Sequence, residues 1–390
     1  MARNTFSLAA ALCAIAVTAS CTDEAVLSSR QSDTPTQTVA ARSTSNQPGE
    51  VVAARAASRP VKLLPPTRGI YHAAFAAFGP TEDVVTPRHI NDFTNRISGK
   101  PLTWAYFSDN WFNGIHFPRR DVDVIRASGV IPFIRIMSRS NWEACSDRRY
   151  QLSKIIAGDF DPALRRYARA ARDVPGPLMM EFGTEANGDW FPWSGYCNGG
   201  GKRDGYGSPR LADGPERFRD AYRHLIDLFR EEGATNVTWV FHMDAWSAPE
   251  QPWNRFAAYY PGDDYIDWLG LSVYGAQTPS DLRNWNPDFN EALNRGYREM
   301  SSVSSSKPIA VLEFGVVEHK RKPEWIRNAL ATLSSGRYPR VKAISWWHSD
   351  WPNDDGSWSR MKIDSSRASL AAYRNAVADP AFISTPVIAR

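Results

Sequence analysis

Eight short runs rich in β-branched, aromatic and other apolar residues follow one another along the chain, and segments of helical periodicity lie between them. This alternation predicts a parallel sheet whose strands are connected by crossover helices. Eight such repeats are typical of a (β/α)8 TIM barrel, in which the active site lies at the carboxyl ends of the strands. The predicted strands are residues 69–75, 102–107, 130–136, 178–184, 237–243, 266–273, 308–314 and 342–347.

The segments between the strands carry apolar residues at spacings of three and four, as the buried face of a surface helix requires. In the segment 215–232, Phe218 and Tyr222 share one face, Pro215 stands at the start and Gly233 follows the end. The remaining helices are predicted at residues 87–97, 119–128, 162–172, 287–301, 323–333 and 366–377, with a short one at 253–260.

Two glutamates lie where predicted strands end, because Glu185 follows the fourth strand and Glu313 lies near the end of the seventh. A carboxylate at the exit of a buried strand is costly unless the site uses it or a partner such as Arg135 satisfies it. Glycoside hydrolysis requires such a pair, since one carboxylic acid protonates the leaving oxygen and a second carboxylate attacks the anomeric carbon or activates water. Tryptophans in the neighbouring loops supply surfaces for the apolar faces of sugar rings. The pattern therefore predicts a carbohydrate cleft.

Three stretches resemble glycoside hydrolase family 26, the family of β-mannanases and mixed-linkage β-glucanases. Residues 185–193, EANGDWFPW, resemble its acid/base motif. Residues 260–270, YPGDDYIDWLG, resemble its entry into the sixth strand, and residues 308–315, PIAVLEFG, resemble its nucleophile strand. The resemblance extends from about residue 68 to residue 378.

The resemblance implies roles for individual residues in a retaining endo-β-glycosidase that needs no cofactor. Glu185 would be the acid/base and Glu313 the nucleophile. Tyr274 would form a hydrogen bond with the nucleophile, and Trp190 would form a wall of the subsite that holds the reacting sugar. The substrate would be a β-linked polysaccharide such as β-mannan or β-1,3-1,4-glucan.

Two departures from the family pattern concern substrate identity more than reaction class. Thr184 stands where the family usually has His, and Glu181 stands where it often has a basic residue. An alternative function is a noncatalytic polysaccharide-binding lipoprotein that kept the barrel and its aromatic cleft. The replacement of the usual His by Thr184 suggests this alternative, and the presence of both Glu185 and Glu313 argues against it.

Aromatic and polar residues beside the strand ends are predicted to contact the sugar chain. The candidate substrate-binding residues are Trp190, Tyr274, Asn187, Trp193, Trp246 and Trp347. Candidates for more distant subsites, with ordinary loop anchors as the alternative, are Trp111, Trp142 and Trp285.

Two acidic residues near the strand ends have structural explanations. Glu181 lies four residues before Glu185 on the same side of its strand, where Arg135 of the third strand can neutralise it. Asp244 follows the fifth strand, and it either contacts substrate or caps the next helix.

The histidines do not predict a metal site. His242 and His348 are candidate site residues, but they have no paired carboxylate or cysteine at ligand spacing. His72, near the start of the first strand, is predicted to be a core residue with satisfied hydrogen bonds.

The amino end predicts export. Arg3 precedes an apolar stretch at residues 6–19 that is too short to span a bilayer, so residues 1–21 are predicted to be a signal peptide. Residues 18–21, TASC, resemble the lipobox of bacterial lipoproteins, in which the cysteine, here Cys21, is acylated. Thr18 departs from the branched apolar residue usual there, so cleavage without acylation stays open.

The predicted organisation is a signal peptide at 1–21, a flexible Ser/Thr/Pro/Ala-rich linker at 22–66, and a catalytic barrel at 67–390. The expected location is the cell envelope, as a periplasmic or outer-surface lipoprotein, or the medium after secretion. Of four cysteines, Cys13 would be lost with the predicted signal peptide and Cys21 would be acylated if the lipobox prediction holds. Cys145 and Cys197 remain, either as a disulfide or as two free thiols.

The charge pattern excludes a nucleic acid partner. The 46 Lys and Arg residues are intermixed with 42 Asp and Glu residues, so the net charge of +4 forms no phosphate-binding surface. Membrane contact is expected only through Cys21, and the protein is expected to be a monomer.

Overall fold

A closed barrel of eight parallel strands forms the centre of the computed structural model, which describes residues 61–389. Each strand pairs with its neighbour in chain order, and the first pairs with the eighth from Tyr71 opposite Ala343 to Phe75 opposite Trp347. All eight predicted strands are therefore present, and the (β/α)8 prediction is confirmed. The strands are β1 Ile70–Phe75, β2 Trp104–Asn110, β3 Ile131–Met137, β4 Leu178–Phe182, β5 Val237–Asp244, β6 Trp268–Tyr274, β7 Ile309–Gly315 and β8 Val341–Trp347.

The barrel strands are buried on both faces, which explains their nearly continuous apolar sequences. β3 reads IPFIRIM and β7 reads IAVLEFG, and every residue in both is buried. Side chains alternate between the surrounding helices and the barrel interior. Arg135 of β3 and Glu313 of β7 interrupt the apolar pattern because they point inward, where they meet near the carboxyl ends of the strands.

Helices surround the barrel, and each predicted helix appears within a few residues of its expected position. The segment 87–97 is divided into an α-helix and π-helical turns, and the segment 253–260 contains only a single short helix. None of the helices between residues 61 and 389 is both long and apolar enough to cross a membrane. The α-helices are α1 Pro87–Asn91, followed by π-helical turns at Asp92–Ser98, α2 Arg119–Ala127, α3 Leu152–Ile156, α4 Asp161–Arg172, α5 Asp213–Glu231, α6 Phe256–Tyr259, α7 Asp281–Asn284, α8 Phe289–Val303, α9 Lys322–Ser334 and α10 Arg367–Val377.

Short segments at the amino ends of the barrel strands pack residues 63–64, which precede the predicted barrel, against it. Leu63–Leu64 pairs antiparallel with Val387–Ile388, and the Leu63 amide donates to the Thr238 hydroxyl at 2.9 Å. Phe382–Ile383 pairs parallel with β1. Leu63 is an apolar residue at the end of a polar stretch, and its burial ties the end of the predicted linker to the barrel. The signal peptide, Cys21 and the linker before residue 61 lie outside the described residues.

The loops at the carboxyl ends of the strands carry additional structure. Asp350–Pro352 and Trp358–Arg360 form an antiparallel hairpin after β8. A disulfide joins Cys145 of the loop after β3 to Cys197 of the loop after β4, with their Cα atoms 4.9 Å apart. The two cysteines are therefore bonded, and they connect two neighbouring loops on one side of the barrel mouth.

Candidate active site

Glu185 and Glu313 meet at the carboxyl ends of the strands. One carboxylate oxygen of each, together with a ring nitrogen of His242, lies within 4.8 Å of the others. Glu185 is 7% exposed and Glu313 is 4% exposed, so both lie deep in the mouth of the barrel. A gap this short between two carboxylates leaves no room for a water molecule between the carboxylate and a sugar bound there.

Glu313 is held by three donors from three other strands. The Tyr274 hydroxyl of β6 donates to Oε2 at 2.9 Å, and the Tyr106 hydroxyl of β2 donates to Oε1 at 3.2 Å. Nη2 of Arg135 lies 3.2 Å from Oε1. Burial raises the pKa of Glu313 to about 7, and the negative charge of Glu185 adds to this rise while Arg135 opposes it. The carboxylate therefore has a fixed direction and a pKa close to neutral pH.

Glu185 has an unusual backbone conformation. Its φ of 50° lies in the left-handed region, which is uncommon for residues other than glycine and is found where a site fixes a side chain at some cost. Nε1 of Trp190 donates to Oε2 of Glu185 at 2.9 Å. A Cβ atom at Gly188 would lie 2.5 Å from the Trp190 ring, so the ring reaches Glu185 only because residue 188 has no side chain.

The contact between Trp190 and Glu185 leads to a testable prediction. Trp190→Phe keeps an aromatic surface but removes the N–H, so we expect kcat/KM on polysaccharide to fall roughly tenfold or more, the effect of losing a hydrogen bond to a charged group. Trp190→Ala also removes the stacking surface and should lower it further. The melting temperature should change little, because the ring is only partly buried.

A matched control for this prediction is Trp358→Phe, which alters an exposed tryptophan of the hairpin after β8. This variant should behave like the unmodified protein. If the Trp190 variants instead lose melting temperature in parallel with activity, then Trp190 supports the fold and does not act on the sugar.

Arg135 is a buried cation shared by three carboxylates. It is 3% exposed, and its guanidinium nitrogens lie 2.8 Å from Glu82, 3.4 Å from Glu181 and 3.2 Å from Glu313. The prediction that Arg135 neutralises Glu181 is confirmed. Arg135 meets Glu181 because the neighbouring strands β3 and β4 place the two residues directly opposite each other. The same guanidinium also pairs with Glu313 across the barrel interior.

An imidazole lies beside Thr184, although the chain has no histidine at that position. His242 of β5 brings Nδ1 to 2.8 Å from the Thr184 hydroxyl and 3.0 Å from Glu181, and its Nε2 lies 2.9 Å from the Ser272 hydroxyl. Burial alone would lower the pKa of His242, but the Glu181 carboxylate raises it above its ordinary value. The imidazole and the guanidinium thus reach the site from β5 and β3, whereas the family pattern places both on β4. Because His242 brings an imidazole to the position beside Thr184, the absence of histidine at residue 184 is a weaker argument for a noncatalytic protein than it was from the sequence alone.

Glu185, His242 and Glu313 are also spaced closely enough to be considered as metal ligands. Their other contacts do not suit a cation. The guanidinium of Arg135 already lies 3.2 Å from Glu313, and both ring nitrogens of His242 face the oxygen partners described above. The group fits two carboxylates held by protein donors better than it fits a metal centre.

Two of the predicted substrate-binding residues have internal roles instead. Nδ2 of Asn187 donates to the Asp244 carbonyl at 2.8 Å and to the Ser247 hydroxyl at 3.1 Å, and its Oδ1 accepts from the Asp244 amide at 3.0 Å. Nε1 of Trp193 donates to the Thr184 carbonyl at 2.8 Å, and the ring is 1% exposed. Both side chains join loops within the protein, and contact of either with a sugar stays a prediction.

Asp244 does not cap the next helix, because α6 begins at Phe256 after Arg255 and has no side-chain cap, and its contact with substrate stays a prediction. Its Oδ1 accepts from the Trp246 amide at 2.7 Å, as in a local cap. Burial raises its pKa well above the ordinary value, and the charge of Glu185 contributes to the rise. Asp244 therefore lies beside the predicted acid/base and also shapes the loop that carries Trp246.

The predicted tryptophans occupy different parts of the barrel mouth. Trp347 stacks on Phe75 with ring centroids 4.1 Å apart and lies under Arg135, so it is placed beside Glu313 as a cleft floor would be. Trp246 is partly buried and lines a cavity of about 620 Å³ against α8. Neither Glu185 nor Glu313 lines that cavity. Of the more distant candidates, Trp111 is fully buried, Trp285 lies edge-on to Trp246, and Trp142 lies under Arg139.

Two other histidines considered in the sequence, His72 and His348, are packing residues. His72 is fully buried, with its ring nitrogens 3.1 Å from the Pro101 carbonyl and 2.8 Å from the Tyr373 hydroxyl, and this confirms the prediction of a satisfied core residue. His348 is 3% exposed, and its Nδ1 accepts from the Ile363 amide at 3.1 Å. His348 is therefore not placed to act on a substrate in the way that His242 is.

Sequence reasoning missed Tyr106, whose hydroxyl lies between the two carboxylates of Glu181 and Glu313 at 2.6 and 3.2 Å. It also missed Ser108 of the same strand, which donates to Glu82 at 2.6 Å. The available signal was the period of two along β2, because Tyr106 and Ser108 share the inward face and are polar within a buried strand.

Comparisons with known proteins agree with this geometry. The sequence model of glycosyl hydrolase family 26 matches residues 151–297, which include Glu185. Endoglucanase H of Acetivibrio thermocellus is 29% identical over 72% of this chain and 28% of its own length. The β-1,3-xylanase TXYA of a Vibrio species is 20% identical over 60% of this chain and 50% of its own length. The chain thus spans half or less of each of these relatives.

A solved structure shares the fold. A family 26 β-mannanase from Bacteroides ovatus aligns with 81% of this chain and 90% of its own chain, with a TM-score of 0.55 and 16% sequence identity. At this identity the alignment establishes a common barrel architecture, and substrate preference has to be argued from the residues of the site.

Proposed function

We propose that the chain is a member of glycosyl hydrolase family 26 and a retaining endo-β-glycosidase that hydrolyses a β-linked polysaccharide. The observation that carries this proposal is the approach of the Glu185 and Glu313 carboxylate oxygens to within 4.8 Å at the mouth of the barrel. Retaining enzymes place their two carboxyl groups roughly 5 to 5.5 Å apart, whereas inverting enzymes need a wider gap for a water molecule.

The proposed reaction proceeds in two displacements. Glu313 attacks the anomeric carbon while Glu185 donates a proton to the departing sugar oxygen, and a glycosyl-enzyme results. Glu185 then removes a proton from water, which releases the sugar with its original anomeric configuration. Tyr274 and Arg135 hold the nucleophile in place, and Trp190 holds the acid/base. These steps need no cofactor, because the two carboxylates perform every proton and bond exchange.

The relatives favour a β-linked backbone but name different sugars. Their titles describe an endoglucanase, a β-1,3-xylanase and a β-mannanase. We propose β-1,4-mannan or mixed-linkage β-1,3-1,4-glucan as the substrate. The preference between them depends on loop side chains that contact the 2-hydroxyl of the reacting sugar.

The proposal is tested by a reducing-sugar assay over β-mannan, glucomannan, barley glucan, β-1,3-xylan, β-1,4-xylan and bacterial exopolysaccharides. We expect one polymer to release oligosaccharides, with a rise in the number of reducing ends early in the reaction, as endo cleavage produces. The matched control is Glu313→Ala, which should release no sugar. Binding to a polymer without product would favour the noncatalytic lipoprotein and contradict the proposed activity.

We further propose that the protein is an exported lipoprotein and acts as a monomer. The support for a monomer is that Glu313 finds hydrogen-bond and ion-pair partners on β2, β3 and β6 of its own barrel. Export and acylation are supported by the leader and by Cys21, which follows residues 18–20 in a lipobox-like sequence.

The lipid anchor can be tested in cells that process lipoproteins. Cys21→Ala should abolish incorporation of labelled fatty acid and release the protein from the membrane fraction, because acyl attachment needs that thiol. Cys13→Ala is the matched control, since this cysteine belongs to the same leader but precedes the cleavage site, and it should leave labelling unchanged. Membrane association that persists in Cys21→Ala would exclude the lipid anchor.

A further inference from the structure

Arg139 lies at the barrel mouth as a buried cation without a paired carboxylate. It follows β3 by two residues and is 5% exposed. Among residues 61–389, its guanidinium makes a single hydrogen bond, from Nε to the Asn110 side-chain oxygen at 2.7 Å. Burial lowers its pKa to about 10. A buried charge is normally paired, so an arginine with two free terminal nitrogens needs an explanation.

The nearest acidic residues do not supply a counter-charge at contact distance. Glu82 and Asp83 act on Arg139 only through longer-range attraction. The carboxylate of Glu82 is held by Arg135 at 2.8 Å and by the Ser108 hydroxyl at 2.6 Å, and Asp83 accepts from Thr81. Neither carboxylate lies within 4.0 Å of a guanidinium nitrogen of Arg139, so neither forms an ion pair with it.

Three aromatic rings surround the guanidinium of Arg139. Its central carbon lies 4.0 Å from the centroid of the Trp142 ring, with Phe112 at 5.8 Å and Phe191 at 5.7 Å. The disulfide of Cys145 anchors the loop that carries Trp142. Stacking and the Asn110 bond together leave the terminal N–H groups as a rigid fork, which matches a planar carboxylate through two parallel hydrogen bonds.

This group is adjacent to the proposed catalytic centre. Phe191 belongs to the same loop as Glu185, six residues further along the chain. Arg135, four residues before Arg139, contacts Glu313. Four residues of extended chain span roughly 13 Å, so Arg139 is within reach of the polysaccharide whose bond is cleaved at the glutamates.

The charges around the glutamates decide where an acidic sugar can lie. Oxygens of Glu185 and Glu313 already lie within 4.8 Å of each other, and a sugar carboxylate at the reacting position would raise the pKa of Glu313 further and oppose ionisation of the nucleophile. We propose that Arg139 and Trp142 form a subsite for a uronate, a sugar whose C6 is a carboxylate, within a β-linked polysaccharide whose reacting sugar is neutral. This inference rests on the proposed function and specifies the substrate of the same cleft.

The test uses β-1,4-mannan and barley glucan in which a small fraction of C6 hydroxyls has been oxidised to carboxylates. The controls are the parent polymers and the oxidised polymers after chemical reduction of the carboxyls. We expect kcat/KM to be about tenfold higher on the oxidised form of the hydrolysed polymer, the effect of a charge-assisted hydrogen bond pair. Mass spectrometry of the products should find the carboxylate at one fixed distance from the cleaved bond.

Variants identify the residue responsible. Arg139→Gln should reduce the ratio of kcat/KM on oxidised and parent polymer to about one and randomise the carboxylate position, while Arg139→Lys should retain part of both effects. Arg172→Gln is the matched control, because it removes one positive charge at the carboxyl end of α4, near the opposite end of the barrel. It should leave the ratio unchanged.

The outcomes separate this inference from the proposed function. Random carboxylate positions in products of the unmodified protein, or a lower rate on the oxidised polymer, would overturn the subsite while leaving the glycosidase intact. If no polymer is hydrolysed, the glycosidase fails, and the subsite is tested by binding. Glu313→Ala protein should then bind oxidised oligosaccharides about tenfold more tightly than their reduced forms, and equal affinities would overturn the inference. Product mapping needs no variant, so a misfolded Arg139 variant does not remove the test.

Discussion

Glu313→Ala protein is expected to be inactive on every glycoside, including substrates with activated leaving groups. The reason is geometric, because the approach of its carboxylate to that of Glu185 within 4.8 Å leaves only direct attack on the anomeric carbon. Glu181 cannot replace it, since its carboxylate is held by Tyr106, His242 and Arg135. The measurement is steady-state hydrolysis of an aryl β-glycoside and of the best polysaccharide.

Glu185→Ala protein is expected to behave differently on the two kinds of substrate. Polysaccharide hydrolysis should be almost abolished, because a sugar leaving group needs a proton. An aryl β-glycoside should still form the glycosyl-enzyme, because a phenolate leaves without a proton, and its hydrolysis should then stall for lack of a general base. A rapid initial release of phenol followed by a slow phase is the expected time course.

Azide distinguishes the two roles. It needs no general base, so it should restore turnover of Glu185→Ala and give a glycosyl azide of β configuration, as double displacement requires. Glu291→Ala, which changes an exposed glutamate of α8, serves as the control and should retain full activity. An α azide from Glu185→Ala would refute retention of configuration. Azide rescue of Glu313→Ala alone would show that the two roles are reversed.

The sequence predicted those features of the site that depend on strand ends. Eight parallel strands bring their carboxyl ends to one edge, so Glu185 and Glu313 had to approach each other once the strands were identified. The role of Tyr274 came from the family resemblance alone, and the structure shows that it ends β6 beside the strand that carries Glu313. The structure places its hydroxyl 2.9 Å from Glu313, as the family resemblance implies.

The direction of a loop side chain could not be predicted in the same way. Asn187 and Trp193 belong to the acid/base motif, yet the left-handed backbone at Glu185 turns the following loop so that both side chains point into the protein. Periodicity has no meaning in a loop without regular dihedral angles. For the same reason the pairing of Cys145 with Cys197 depended on loop paths that the sequence does not encode locally.

Contacts between side chains inside the barrel also could not be predicted from the sequence. His242 belongs to β5 and Thr184 follows the end of β4 by two residues, so their contact depends on the register between these neighbouring strands. A shift of one residue in that register would turn the imidazole toward the helices. Position along a strand therefore predicts which end of the barrel a residue occupies, and the register decides which residues meet there.

Arg135→Met is expected to lower the free energy of unfolding by about 3–5 kcal/mol at pH 7, the usual cost of removing one partner from a buried ion pair. The loss leaves the carboxylates of Glu82, Glu181 and Glu313 without their shared cation. The matched control is Arg169→Met, which removes a half-exposed arginine paired with Glu232 at 2.9 Å. Such a surface pair contributes about 0–1 kcal/mol, so the control should change stability little.

The pH dependence separates the charge of Arg135 from its packing against Tyr106 and Trp347. The pKa of Glu313 is raised to about 7 in the folded protein even with Arg135 present, because burial outweighs the cation, and without Arg135 it should rise further. A carboxyl whose pKa is raised on folding stabilises the protein below its unfolded pKa, and this contribution is lost as pH rises through the folded pKa. The destabilisation by Arg135→Met should therefore be largest above pH 7 and smallest near pH 4.5, as measured by urea unfolding across that range.

The acidic limb of kcat/KM should move to higher pH in parallel, because the nucleophile acts in its ionised form. A loss of stability that is equal at every pH would assign the effect to packing of the guanidinium on the Tyr106 and Trp347 rings, 5.0 and 5.1 Å away, and would contradict an electrostatic role for Arg135.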